Sequence, residues 1–205
     1  MSDKNFYAEE ISTELFYKMR DKSYAKGCKL PISELRHIHF LHKNLQGESL
    51  EGEMVCNQHI SDRLLDIFYQ LYELAYPMEK FNLIDEYNAD DEISMTNNNG
   101  SCFNYRLVAH TNRVSKHGLG LAVDINPLYN PYIKNIESGI YIAPVAGKPY
   151  VDRDWDFDYK IIKNDPCYEL FIKNGFEWGG DWEDEKDYQH FEIPVEQIKK
   201  WYPDY

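Results

Sequence analysis

The chain has 205 residues, with 22 Lys and Arg against 35 Asp and Glu, a formal net charge of −13. That length suits one domain, expected over 1–205, able to bury a core without staples. The acidic balance lacks any basic run able to track a phosphate backbone, which argues against a nucleic-acid partner, and anionic polymers would be repelled at long range. No stretch nears the roughly 18 apolar residues of a membrane span. The opening MSDKNFYAEEIS lacks the apolar centre of a signal peptide. Cys28, Cys56, Cys102 and Cys167 are widely spaced and read as idle thiols.

Along the chain, residues 8–20 place Ile11, Leu15 and Met19 on one helical face. Leu35 to Leu41 alternates as a strand, setting Ile38 and Phe40 against His37 and His39. A short strand over 53–56 follows, then a helix over about 58–75 with Ile60, Leu64, Ile67, Phe68, Leu71 and Leu74 in one stripe and Pro77 behind it. Residues 85–101 read as a polar loop. From Leu121 onward alternation returns: Leu121, Val123 and Ile125 face inward, and Asp124 faces a side with small neighbours. Residues 127–164 read as a long insertion. Asp165, Pro166 and Gly175 punctuate a second helix. Strands are expected at 176–178 and 190–193, and a short helix over 194–201.

The segment SKHGLGLAVD at 115–124 and the later DYQH at 187–190 supply two imidazoles, a carboxylate between them, and a spare carboxylate at Asp187 on a turn. Three N/O ligands with an open fourth position are how a catalytic zinc is held. A nearby free carboxylate is what a zinc hydrolase uses to take a proton from water. Taken alone, these residues fit a metal site and a set of hydrogen-bonded polar side chains equally well. His37, His39 and His42 have ligand-like spacing, but alternation places His37 and His39 on the polar face of a strand; His59 and His110 are isolated and receive no role. The Asp-rich run 152–158 lacks the Gly and Glu that a calcium loop needs.

The pattern S-x-H-x-x-G-x-A-x-D followed by D-x-x-H resembles the zinc D-Ala-D-Ala carboxypeptidase and L-alanyl-D-glutamate peptidase family, peptidase family M15. FNYR at 103–106 resembles its upstream Arg segment, and the similarity extends loosely over about 35–193. The resemblance implies one Zn²⁺ per chain on His117, Asp124 and His190, with Asp187 as general base. It further implies Arg106 on the substrate or the developing oxyanion, and Ser115 beside the first ligand in contact with the peptide; Trp182 is added as a cleft-lining residue. The implied fold is α+β, a small, mainly antiparallel sheet with helices on one face and the zinc site on the other, as in the Hedgehog signalling domain. The implied activity is hydrolysis of peptidoglycan stem peptides next to a D-amino acid, by a monomer acting at the cell wall, after lysis, or on cytoplasmic fragments. The rival from another class is a non-catalytic zinc-binding module of the Hedgehog type, which has no need of Asp187. The insertion 127–164, with Tyr129, Tyr132, Tyr141, Tyr150, Trp155 and Phe157, is expected to border the cleft.

Overall fold

A computed structural model describes residues 4–108 and 113–204; His110 lies outside them. The first layer is β1 (Tyr7–Glu10), α1 (Thr13–Met19), β2 (Leu35–Lys43), β3 (Ser49–Asn57) and α2 (Ser61–Glu73). The helix expected from residue 8 begins later. Tyr7 to Glu10 pair with His39 to Arg36 as an antiparallel edge strand, and the Ser12 side chain caps the helix by accepting from Leu15 N. β2 is the centre of the sheet β1-β2-β3. Ile38 and Phe40 point into the core, where α2 covers them with Leu64, Ile67, Phe68 and Leu71. Phe40 and Phe68 stack with centroids 4.0 Å apart. His42 belongs to this inward face too: it is buried, with Nδ1 2.8 Å from the Met78 carbonyl. His37 and His39 lie on the other face. Leu74, expected in the apolar stripe, is exposed, because α2 has ended and Ala75 turns the chain into the left-handed region.

The polar stretch 85–101 is not all loop. It contains α3 (Asp91–Thr96), capped by the Asp90 side chain on Ile93 N. The remaining elements are β4 (Ala122–Asp124), β5 (Tyr132–Ile136), β6 (Gly139–Ala143), α4 (Pro166–Lys173), β7 (Glu177–Trp178), β8 (Glu185–Asp187), β9 (His190–Glu192) and α5 (Val195–Trp201). The class is α+β as expected, but the single sheet becomes three small antiparallel ones: β1-β2-β3, β4-β9-β7 and β6-β5-β8. Asp165 caps α4 through Tyr168 N, with Pro166 in the first turn and Gly175 at φ +83° after the end. Apolar packing from Phe6 to Ile198 forms one continuous cluster, in which Phe171 of α4 stacks on Phe191 of β9 at 4.2 Å.

The insertion 127–164 has structure of its own. β5 and β6 form a hairpin, and β8 from the far side of the site pairs with β5, setting Tyr132 opposite Asp187. The rest is tied down by Arg153. Its guanidinium donates to the carbonyls of Tyr129 (2.9 Å) and Ile161 (2.8 Å) and to Asn130 Oδ1 (3.1 Å), and lies 4.3 Å from the centre of the Tyr188 ring. Burial lowers its pKa to about 10, so the cation persists at neutral pH.

Gly120 holds the entry to β4. Its φ is +66°, its N–H donates to the His117 carbonyl and its carbonyl accepts from Asn57 N. A Cβ here would lie 2.8 Å from Asn57 N. Gly120→Ala therefore combines left-handed strain with a backbone clash and should cost about 1–3 kcal/mol. A urea midpoint that falls with unchanged slope is the expected result; an unmoved midpoint would contradict it.

Candidate metal centre

Antiparallel pairing of β4 with β9 sets Asp124 directly opposite His190. On its other edge β4 bridges to Ser101, whose neighbour Cys102 turns its carbonyl toward the site. His117 arrives on the 3-10 turn His117–Leu119 that Gly120 terminates. All three side chains are buried. His117 Nε2 lies 3.1 Å from His190 Nδ1 and 3.2 Å from Asp124 Oδ2, and His190 Nδ1 lies 3.0 Å from Asp124 Oδ1.

These separations can be tested against a metal. Bonds of about 2.0–2.1 Å in a tetrahedron put donors about 3.3 Å apart. The observed 3.0–3.2 Å needs only slight expansion. The tautomers fit as well. Nδ1 of His117 is 2.7 Å from the Cys102 carbonyl and must donate to it, leaving the Nε2 lone pair free. Nε2 of His190 is 3.0 Å from Glu192 Oε2, leaving Nδ1 free; Glu192 is in turn 2.8 Å from Lys116 Nζ. Carboxylate and carbonyl partners of this kind orient metal-binding imidazoles. The donor set is all N/O: Cys102 offers its carbonyl, and burial pushes its thiol pKa well up. All four cysteines are free thiols. The residues suit a divalent cation with a taste for imidazole and carboxylate.

Charge at the site is arranged around that position. Burial alone would raise the Asp124 pKa, but His117 and His190 overcome it and hold the carboxyl well below the usual range. Burial would lower that of His190, yet hydrogen bonds to Asp124 and Glu192 carry it up to about 10. Glu192 is brought to about 2 against its burial by His190 and Lys116. A proton on His190 thus does part of the work that a cation would do.

The donors open onto a cavity of about 990 Å³, and Asp187, Arg106, Ser115 and Trp182 all line it. Asp187 stands at the end of β8, not on a turn. Its Oδ1 is out of solvent and has no hydrogen-bond partner among the described residues. Burial raises its pKa to about 7; the positive charge of His190 opposes the rise, while Asp124 and Glu192 add to it. Gly179 presses on it so closely that a Cβ there would sit 2.8 Å from the Asp187 Cβ. Arg106 lines the cavity while its Nε makes a 2.8 Å ion pair with Asp91. Ser115 Oγ accepts from His117 N at 3.3 Å, so it steadies the turn carrying that imidazole. The Trp182 ring is 5.6 Å from that of His190. From the insertion, Tyr132, Lys134, Ile136 and Tyr141 reach the cavity. Tyr129, Tyr150, Trp155 and Phe157 instead pack on one another.

Sequence reasoning missed Glu192, Lys116 and Gln189. The H-x-E alternation at 190–192 placed Glu192 on the His190 face and was the available signal. Gln189 lines the same cavity, and its Oε1, like Asp187 Oδ1, is a buried acceptor without a partner among the described residues.

A converging N/O triad beside a carboxyl of raised pKa is an arrangement that metal-assisted hydrolysis can use. A family model described as D-alanyl-D-alanine carboxypeptidase, of the M15 peptidases, matches residues 109–193. That segment contains His117, Asp124, Asp187 and His190, and over it the chain is similar to the M15 peptidases. No curated protein and no solved structure matches the chain.

A cation on this triad would compete with the proton on His190. With its pKa at about 10, cation binding at pH 7 should release about one proton, and apparent affinity should climb with pH until about 10. Calorimetry in buffers of different ionisation enthalpy measures this; uptake without proton release would contradict the assignment. Glu192→Gln should weaken metal binding about 10–100-fold.

Proposed function

We propose that this protein is a zinc-dependent peptidase that cleaves peptidoglycan stem peptides at a bond next to a D-amino acid. The observation that carries the reading is the convergence of His117, Asp124 and His190 on one point beside Asp187, whose buried Oδ1 has no hydrogen-bond partner among the described residues, in one cavity. The family match to D-alanyl-D-alanine carboxypeptidases supports the substrate class.

Zinc on those three residues would supply Lewis acidity, polarising the scissile carbonyl and lowering the pKa of water. Asp187 accepts the proton of the attacking water and passes it to the leaving amine. Its raised pKa suits both halves of that task, because a base near neutrality returns a proton readily. Arg106 holds a substrate carboxylate or the developing oxyanion with its guanidinium. Ser115 positions His117, and Trp182 walls the cleft next to His190. The substrate is a peptide fragment bound by local contacts, since the net charge of −13 repels anionic polymer at a distance. We take the active species as a single-domain monomer that meets its substrate at the wall, after lysis, or as cytoplasmic fragments; no helix among the described residues is long and apolar enough to cross a membrane.

Asp187 distinguishes this reading from a Hedgehog-type binding module, which gains nothing from a desolvated carboxyl facing the cavity. His117→Ala and His190→Ala should each lose the zinc, whereas Asp187→Asn should keep it and lower turnover about 10²–10⁴-fold. Product masses from purified muropeptides, with metal analysis of each variant, read both. Parental turnover in Asp187→Asn would remove it as the base, and absence of cleavage by any form would favour the binding module. In the parent, activity should fall as pH drops and Asp187 is protonated, with the midpoint moved below about 7 by a nearby cation. Removing the tip of the β5–β6 hairpin, residues 136–139, should change which stem peptides are cut and leave zinc binding intact. An unchanged product profile would show that the hairpin has no part in selection.

A further inference from the structure

A second group of donors lies on the outer face of the sheet β1-β2-β3, away from the cleft. His37 and His39 project from the same face of β2, and Glu9 stands opposite His37 on the edge strand β1. Glu9 Oε1 is 3.5 Å from His37 Nδ1 and 3.3 Å from His39 Nε2. One donor atom from each residue lies within 4.8 Å of the others. We propose that Glu9, His37 and His39 form a second site for a divalent transition-metal ion of the zinc type, stapling the edge strand β1 to the sheet.

Three observations carry this. The two Glu9 separations match the roughly 3.3 Å donor spacing of a tetrahedral ion with bonds of about 2.0–2.1 Å. Nε2 of His37 is held by Glu53 Oε2 at 2.7 Å, from the third strand of the sheet, which leaves its Nδ1 lone pair facing Glu9. That repeats the relation of Glu192 to His190 at the first centre. The donors are also shielded unequally, as an ion-binding shelf requires: the side chains are 12% exposed for His37 and 27% for His39, and Glu9, at 51%, leaves the approach open. Tyr7 stacks on the His39 ring at 4.5 Å and fixes it. Imidazole and carboxylate together favour zinc over magnesium or calcium.

The test is Zn²⁺ titration of the metal-free full chain, with stoichiometry by equilibrium dialysis and thermal midpoints alongside. The parent should bind two equivalents. A His117→Ala, His190→Ala double variant should keep one, and His39→Gln or Glu9→Gln should each lose only the weaker. Glu53→Gln should weaken that equivalent about 10–100-fold and leave the tighter one alone. Filling the weaker site should raise the thermal midpoint of the parent but not of Glu9→Gln, whose exposed position leaves the fold intact. Loss of all bound zinc in the His117→Ala, His190→Ala double variant overturns the proposal, as does an equivalent retained there that persists in both His39→Gln and Glu9→Gln.

Discussion

The register between β4 and β9 is the constraint on which the rest depends. It sets Asp124 against His190, and a slip of one residue would turn one of the pair to the other side of the sheet. Holding a carboxylate and two imidazoles together out of water is costly unless each is compensated. The surrounding structure supplies that compensation: the Cys102 carbonyl for His117, and Glu192 with Lys116 for His190. Even the glycines answer to it. A Cβ at Gly100 would lie 2.9 Å from the Asp124 carbonyl, and one at Gly120 would push β3 away from the turn that bears His117.

Much of the centre was readable from the residues because it is encoded locally. His117, Asp124 and His190 sit in motifs whose spacing survives in one dimension, and alternation from Leu121 placed the strand that carries Asp124. What escaped depends on pairing between distant segments. β1 has four residues and no periodicity of its own, and only its ladder with β2 makes it a strand. Asp187 read as a turn residue because the strand that recruits it, β5, lies more than fifty positions away. The short α3 was hidden in a polar stretch, although Asp90 and its bond to Ile93 N are a local signal. The insertion read as loop because its Pro and Gly content masks a hairpin and an aromatic cluster.

Arg106 illustrates how one residue satisfies two readings. Its ion pair with Asp91 joins side chains 36% and 30% exposed, and such pairs contribute about 0–1 kcal/mol. A partner held so weakly would let the guanidinium exchange Asp91 for a substrate carboxylate at little cost, as the proposed role of Arg106 requires.

The metal donors and Asp187 belong to different sheets. Asp124 and His190 are fixed by β4-β9-β7, whereas Asp187 is the end of β8 in β6-β5-β8. The turn through Tyr188 and Gln189 joins them along the chain, clamped by Arg153 on the Tyr188 ring and by the Trp178 indole on its carbonyl, and Gly179 packs on Asp187 beside it. The candidate metal ligands of one sheet and the proposed base of the other therefore meet across one short turn. On the proposed reading, changes in the β5–β6 hairpin would alter the choice of peptide without touching the candidate metal ligands, which the other sheet and the His117 turn hold, so preference could drift over evolutionary time while the demand for metal stays constant.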